Sequence, residues 1–412
     1  MAQTLFYIII AIILFDYILE RVLDYLNSTY WSDELPAELK GIYEAEKYKK
    51  SQDYEKVTTR FSILTGTLSL LAMLGMLFFG GFAWLDDFVR SYTTNPILMA
   101  LLFFGILGLA ADILTTPFSV YSTFVIEQKF GFNKMTVKTF ILDKLKGWLL
   151  AAIIGGGLLA LIVWIYESTG EWFWLIAWGA ISSFTIITQM FGAEIFIPLF
   201  NKLTPLKNEE LESSIKDLVN KTGYNLKNIK IIDGSKRTTK ENAAFTGLGP
   251  KKKVLLYDTL LEKHINQEVT AVLAHEIGHY KMKHTLIFTI LGLIHWGVIF
   301  FILSIFLKYP VFAHALGAEE ANFHMSILAF GLLYGPISLV LGLLMNILSR
   351  KNEFAADRYA GLNFKPEPLK SALIKLSVNH LSNLKPHPAY VFFYYSHPPL
   401  LERLSALDKL KT

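Results

Sequence analysis

Seven apolar stretches, each about as long as a bilayer is thick, dominate what this chain can fold into. A hydrocarbon core about 30 Å thick takes about 20 apolar residues of helix to cross. Stretches of that kind cover 4–24, 62–84, 97–119, 148–166, 172–199, 286–307 and 325–348. The chain is 53% hydrophobic and only 18% charged, against roughly 25% charged in an average soluble protein. A soluble globular fold and a disordered chain are both excluded. The second, fourth, sixth and seventh stretches are clean. The first carries Asp16 and Glu20, so it either faces protein or ends early; the third carries Asp112 and the fifth Glu194. Carboxylates at such depth are costly and normally face a bundle interior or a wet cavity, unless they lie near enough to an interface to reach water. The first stretch has no basic residue before it and no small-residue cleavage site after it, so it reads as a span and not as a secretory signal.

Lysine and arginine then orient the spans. Loop 25–60 holds Lys40, Lys47, Lys49, Lys50, Lys56 and Arg60, whereas 85–96 holds only Arg90 beside Asp86 and Asp87. Loop 120–147 is basic again, 167–171 has Glu167 and Glu171 without a cation, and 200–285 is lysine-rich. The alternation predicts a multipass membrane protein with its N-terminus outside and both 200–285 and the C-terminal tail on the cytoplasmic side. The expected organisation is transmembrane helices over 1–199, a soluble segment over 200–285, two further spans over 286–348, and a soluble tail over 349–412. Within 200–285, the pattern predicts an amphipathic helix at Glu209–Lys221 and strands at Asn228–Asp233 and Lys253–Tyr257, with a further helix after Asp258. Lys240–Gly249 is expected as an edge strand closed by Gly247 and Gly249. A helix should run out of the seventh span into the tail. The net charge of +4 is too small for the chain's size to suggest nucleic acid, and no nucleic-acid motif is present.

The chemistry centres on His275-Glu276-Ile277-Gly278-His279, an H-E-x-x-H motif. Two histidines four apart on a helix point their rings to one face, where both can bind one Zn²⁺. Glu276 beside them can take a proton from water on the metal and deliver it to a leaving amine. His284, about 140° further round at helical spacing, is expected to face away as an interfacial histidine. A catalytic zinc site needs a third protein ligand. Glu353 is the best candidate, with Asp357 one turn later placed to accept a hydrogen bond from a ligand histidine and hold its tautomer. His397, in Tyr395-Ser396-His397-Pro398-Pro399, sits on a stiff non-helical backbone. It either donates to the oxyanion of a tetrahedral intermediate or is a surface turn histidine, and spacing leaves both open. His387, also before a proline, stays a surface histidine. Without cysteine, nitrogen and oxygen are the only metal ligands to be expected.

Together these residues resemble the Ste24-type CAAX prenyl proteases of the M48 zinc metallopeptidases, along essentially the whole chain. Phe124-Val125-Ile126-Glu127-Gln128-Lys129-Phe130-Gly131-Phe132-Asn133 is similar to that family's F-x-x-E-x-x-F-G-F-N segment, and Pro198-Leu199-Phe200-Asn201 to its P-L-F-N stretch. Asp233-Gly234-Ser235-Lys236-Arg237 with Asn242-Ala243, the N-E-F-x-A-D run from Asn352, and the S-H-P-P-L-L-E-R-L run from Ser396 are similar to further motifs. The resemblance implies seven helices around an intramembrane chamber and a small α+β, zincin-like catalytic part. It implies one Zn²⁺ per chain on His275, His279 and Glu353, with Glu276 as base and His397 as transition-state stabiliser. Asn242 and Ala243 would bind substrate backbone by strand addition. The implied substrate is the C-terminal tripeptide of a prenylated C-a-a-X protein or a related peptide. The expected setting is a monomer in a bilayer: the ER membrane in a eukaryote, the plasma membrane in a prokaryote. An HtpX-like quality-control protease is a second reading, disfavoured by the F-G-F-N segment and the seven stretches. A multipass transporter or scaffold with a structural, four-ligand zinc is a third.

Overall fold

The computed structural model describes residues 1–223, 229–247 and 253–411. Helix dominates, as it must where hydrocarbon offers the backbone no partner and each segment has to satisfy its own N–H and C=O groups. Among the described residues, five helical runs are long and apolar enough to cross a membrane: Ala2–Ser28, Ala45–Phe78, Pro96–Phe130, Val137–Phe200 and His284–Phe306. Phe323–Leu333 and Gly335–Asn363, bent by 53°, make a sixth if taken as one broken span. The count is below the expected seven because the fourth and fifth apolar stretches fall in the single 64-residue run. A straight helix of that length would be about three times the hydrocarbon thickness. The run is interrupted instead: Gly156–Thr169 ends at Gly170 (φ 53°, ψ −119°) and a short turn leads into Phe173–Ile195. Tyr166 and Phe173 pack edge to face across that turn at 5.4 Å.

Two expected boundaries are corrected. The second stretch, 62–84, covers the apolar half of the helix Ala45–Phe78 and the start of a separate helix, Gly81–Arg90, beyond Gly80. The polar first turns belong to it because Glu55 accepts from Asn27 (3.0 Å) and Lys56 pairs with Asp33 (2.6 Å). The seventh stretch breaks at Tyr334–Gly335. There the first helix passes so close that a Cβ on Gly335 would lie 3.0 Å from Asp16 Oδ2. Asp16 therefore abuts protein, and its helix continues to Ser28 rather than ending early. Glu20 pairs with Arg21 (2.6 Å), and Glu194 with Lys253 (2.8 Å). Asp112 accepts from Lys144 Nζ (2.9 Å) and Trp148 Nε1 (2.8 Å).

The segment after the fifth apolar stretch folds as a four-stranded sheet: β1 (Leu203–Pro205), β2 (Ile229–Ile232), β3 (Ala243–Thr246) and β4 (Lys253–Tyr257), in the order β1-β2-β4-β3. β2 and β4 are parallel and both outer pairs antiparallel. β3 is thus an edge strand, shorter than the 240–249 stretch; Asn228 and Gly249 lie outside the described residues. β1 escaped the sequence pattern because it is three residues long and ends in proline, which a sheet tolerates at an edge. Three of the quoted motif stretches converge at the approach to β3. Asn133 bridges Thr238, Thr239 N–H donates to Phe132 O (3.0 Å), and Asn201 Nδ2 donates to Asp233 Oδ1 (3.0 Å).

The helix Glu209–Thr222 buries Leu211, Ile215 and Leu218 and half-buries Val219, the four apolar residues that its spacing puts on one side. These join Leu256, Leu273 and Ile277 in one core with Leu369, Leu404 and Leu407 of the tail. The 200–285 segment and the C-terminal tail are therefore one folded body, although two apolar stretches separate them in the chain.

Candidate metal centre and catalytic cleft

The motif helix, Asn266–Lys281, buries Val269, Leu273 and Ile277 on its core side. Its first turn is fixed by Glu268, which accepts from the Ile265 N–H (3.2 Å). The helix Gly335–Asn363, continuing out of the seventh stretch as expected, packs against it at Gly278. A Cβ there would meet Ala356 Cα at 3.2 Å and Tyr359 Cβ at 3.1 Å. Only glycine lets two helix backbones approach so closely. That approach carries Glu353 and Asp357, one turn apart, onto the two histidines.

His275 Nε2 and His279 Nε2 lie 3.1 Å apart. Glu353 Oε1 is 3.2 Å from His279 Nε2, and Oε2 is 3.5 Å from His275 Nε2. Two atoms each 2.0–2.1 Å from one tetrahedral ion are roughly 3.3 Å apart, so the spacing suits a shared metal. Among the described residues, these three make the one group of His, Asp and Glu whose ligand atoms all fall within 4.8 Å. Glu353 Oε2 is buried and makes no hydrogen bond, the Arg403 Nη2 cation lying 3.6 Å away, so the oxygen keeps a lone pair that a bound cation could use. The donor set, two imidazoles and a carboxylate, fits zinc.

The surrounding groups hold this arrangement. Asp357, 1% exposed, has Oδ1 2.8 Å from His275 Nδ1. Arg403 grips it with two hydrogen bonds, Nε to Oδ2 (2.8 Å) and Nη2 to Oδ1 (2.6 Å). Burial alone would lower the His275 pKa, but Asp357 and Glu353 outweigh it and push it up to about 9. Burial pushes the Glu276 carboxyl up from its ordinary value, the direction that readies a carboxylate to accept a proton near neutrality. His397 Nε2 stands 3.5 Å from Glu353 Oε1, with the side chain 65% exposed to the cleft. Its turn is held by Arg350 Nη1, which donates to Tyr395 O (2.5 Å) and Val391 O (3.2 Å).

Two cavities meet at Glu276 and His279. One, about 690 Å³, is lined by Asn242, Ala243, His275, Glu353, His397 and Arg403 among others. The other, about 1130 Å³, extends past Ala244 to Gln189, Phe288 and Thr289 on the apolar helices. β3 runs along both. Asn242 O accepts from Tyr257 N–H (3.1 Å) on the sheet side, and Asn242 Oδ1 caps the Ala243 N–H (2.9 Å). The eight residues given a role in the site by the sequence thus lie in or against one cleft.

Sequence reasoning missed Arg403, which lies 46 residues beyond Asp357; its one signal was membership of the His397 run. It misplaced His284. The motif helix stops at Lys281, and Lys283 takes φ 60°, a left-handed conformation costing a non-glycine residue roughly 1–2 kcal/mol. The next helix therefore starts in a new direction, and His284 Nδ1 comes to 3.0 Å from His279 Nδ1 instead of facing away. His387 caps a helix, accepting from Ala389 N–H (3.1 Å), outside the cleft.

A family model described as CAAX prenyl protease N-terminal, five membrane helices, matches residues 25–202, and one described as Peptidase family M48 matches 205–411. The chain belongs to peptidase family M48. Within that family, CAAX prenyl protease 1 of Saccharomyces cerevisiae is 32% identical over 91% of this chain and 88% of its own length. The homolog from Arabidopsis thaliana is 32% identical over 95% of each. The crystal structure of S. mikatae Ste24p superimposes with a TM-score of 0.91 at 33% identity, over 98% of this chain and 99% of that one. M48 members are zinc metallopeptidases, and this one is a multipass membrane metalloendopeptidase of the CAAX prenyl protease 1 type.

Proposed function

We propose that His275, His279 and Glu353 hold one zinc ion per chain, and that the cleft cuts the C-terminal tripeptide from prenylated C-a-a-X proteins or related peptides. The observation that carries this is the convergence of two Nε2 atoms and one carboxylate at the junction of two cavities flanked by an edge strand. Zinc bound there polarises water and the scissile carbonyl. Asp357 accepts the His275 Nδ1–H, which keeps Nε2 free to ligate. Asn242 and Ala243 pair with the substrate backbone, adding it as a further strand beside β3. Glu276 takes the proton released by the attacking water on its carboxylate and hands it to the leaving amine nitrogen. His397, exposed to the cleft, donates from Nε2 to the developing oxyanion.

The seven apolar stretches support seven crossings, with Val137–Phe200 folded at Gly170 into two. The loop charges support an outside N-terminus, with 200–285 and 349–412 forming the zincin-like catalytic body on the cytoplasmic side of the membrane blocks 1–199 and 286–348. The helices would then enclose a chamber into which the larger cavity opens, in the ER membrane of a eukaryote or the plasma membrane of a prokaryote. Cleavage of a farnesylated C-a-a-X peptide against its unprenylated twin, each with and without a zinc chelator, tests the substrate class. The farnesylated peptide is expected to be cut at least tenfold faster, and neither cut with chelator present. Equal rates would remove prenyl recognition from the account.

A further inference from the structure

The geometry points to His284 as a positioning residue for the zinc ligand His279, the counterpart of what Asp357 does for His275. This rests on the zinc reading above. His279 turns Nε2 toward His275 Nε2 (3.1 Å) and Glu353 Oε1 (3.2 Å), so to ligate it must carry a lone pair on Nε2 and its proton on Nδ1. A neutral imidazole chooses between its tautomers by the bond that its other nitrogen makes. His279 Nδ1 meets His284 Nδ1 at 3.0 Å, with ring centroids 5.1 Å apart and planes at 73°. His284 accepts there and keeps its own proton on Nε2. Its Nδ1 faces the far side of His279 from Glu353, which makes it a support for a ligand and not a fourth ligand.

The backbone is built for this contact. His284 is 6% exposed, and it reaches His279 only because Lys283 breaks the helix with φ 60°. A continuous helix would carry the ring about 140° away. Strain of this kind persists where the surrounding structure holds it, commonly beside functional groups. The two ligand histidines thus have different supports: a buried carboxylate fixed by Arg403 for His275, and a neutral imidazole for His279.

The test is zinc affinity, measured by competition with a chromophoric chelator on the purified full-length protein in detergent. The comparison takes His284→Leu and His284→Asn, whose Oδ1 stands near the position of the imidazole Nδ1. Losing such a support typically costs 10- to 100-fold in affinity. His284→Leu is expected to weaken zinc by about that factor and to change the visible spectrum of the cobalt-loaded protein, whereas His284→Asn stays within a few-fold of wild type. Should the leucine variant fail to fold, His284→Phe, which keeps a ring but no acceptor, gives the same comparison. Leucine or phenylalanine variants with wild-type zinc affinity and cobalt spectrum overturn the inference. His275→Ala separates the two claims. If it loses zinc while His284→Leu does not, only the role of His284 falls; if it keeps wild-type affinity, the ligand set itself is wrong.

Discussion

Glu276→Gln is expected to reduce peptide hydrolysis by about 10²–10⁴-fold, the span general acid–base catalysis contributes, while zinc stays bound. The substitution keeps the shape and removes only the ability to accept a proton. Glu276 is not among the three groups whose ligand atoms converge, so metal content should be unchanged. It sits where both cavities meet, and burial holds its carboxyl above the ordinary range. A neutral amide there can neither take the proton from the attacking water nor return it to the leaving nitrogen. Turnover and zinc content measured on one preparation check this. A glutamine variant with more than a tenth of wild-type turnover would move the base elsewhere in the cleft.

Arg403→Met is expected to destabilise the catalytic body by about 3–5 kcal/mol, the usual cost of leaving one member of a buried ion pair alone. Asp357 is 1% exposed and both of its oxygens are held by Arg403, so the substitution leaves a buried carboxylate with only His275 Nδ1 beside it. Adding Asp357→Leu should recover most of the stability, because removing both partners costs far less than removing one. It should not recover activity, since His275 Nδ1 then lacks its acceptor. Thermal unfolding in detergent, followed together with turnover, separates these effects. An Arg403→Met protein that melts like wild type would show that Asp357 is held by something other than the guanidinium.

How much the sequence revealed follows from how local each signal is. Apolar runs and the H-E-x-x-H spacing are local, so the apolar helices, the motif helix, β4 and the helix carrying Glu353 are where the pattern put them. Breaks within helices are not local. The bend at Gly335 depends on how neighbours pack, as Asp16 against it illustrates, whereas the break at Gly170 falls inside the 167–171 loop that the sequence marked. The His284 error has the same root: angular spacing holds only while a helix continues, and nothing in Lys281-Met282-Lys283 signals a left-handed residue. Arg403 was hidden because an arginine near the end of a chain looks solvated until folding buries it against Asp357. β1 was too short for any periodicity to register.

Metal removal and return, with zinc per chain and hydrolysis measured on the same samples, tests the central claim most directly. The purified protein is expected to carry one zinc per chain, to lose cleavage in proportion as zinc is stripped, and to regain it when zinc is restored. Glu353→Ala should behave like the stripped protein even with zinc added, since it removes one of three ligands from a centre that needs all of them. Hydrolysis persisting at the full rate in zinc-free protein, or undiminished in Glu353→Ala, would contradict it.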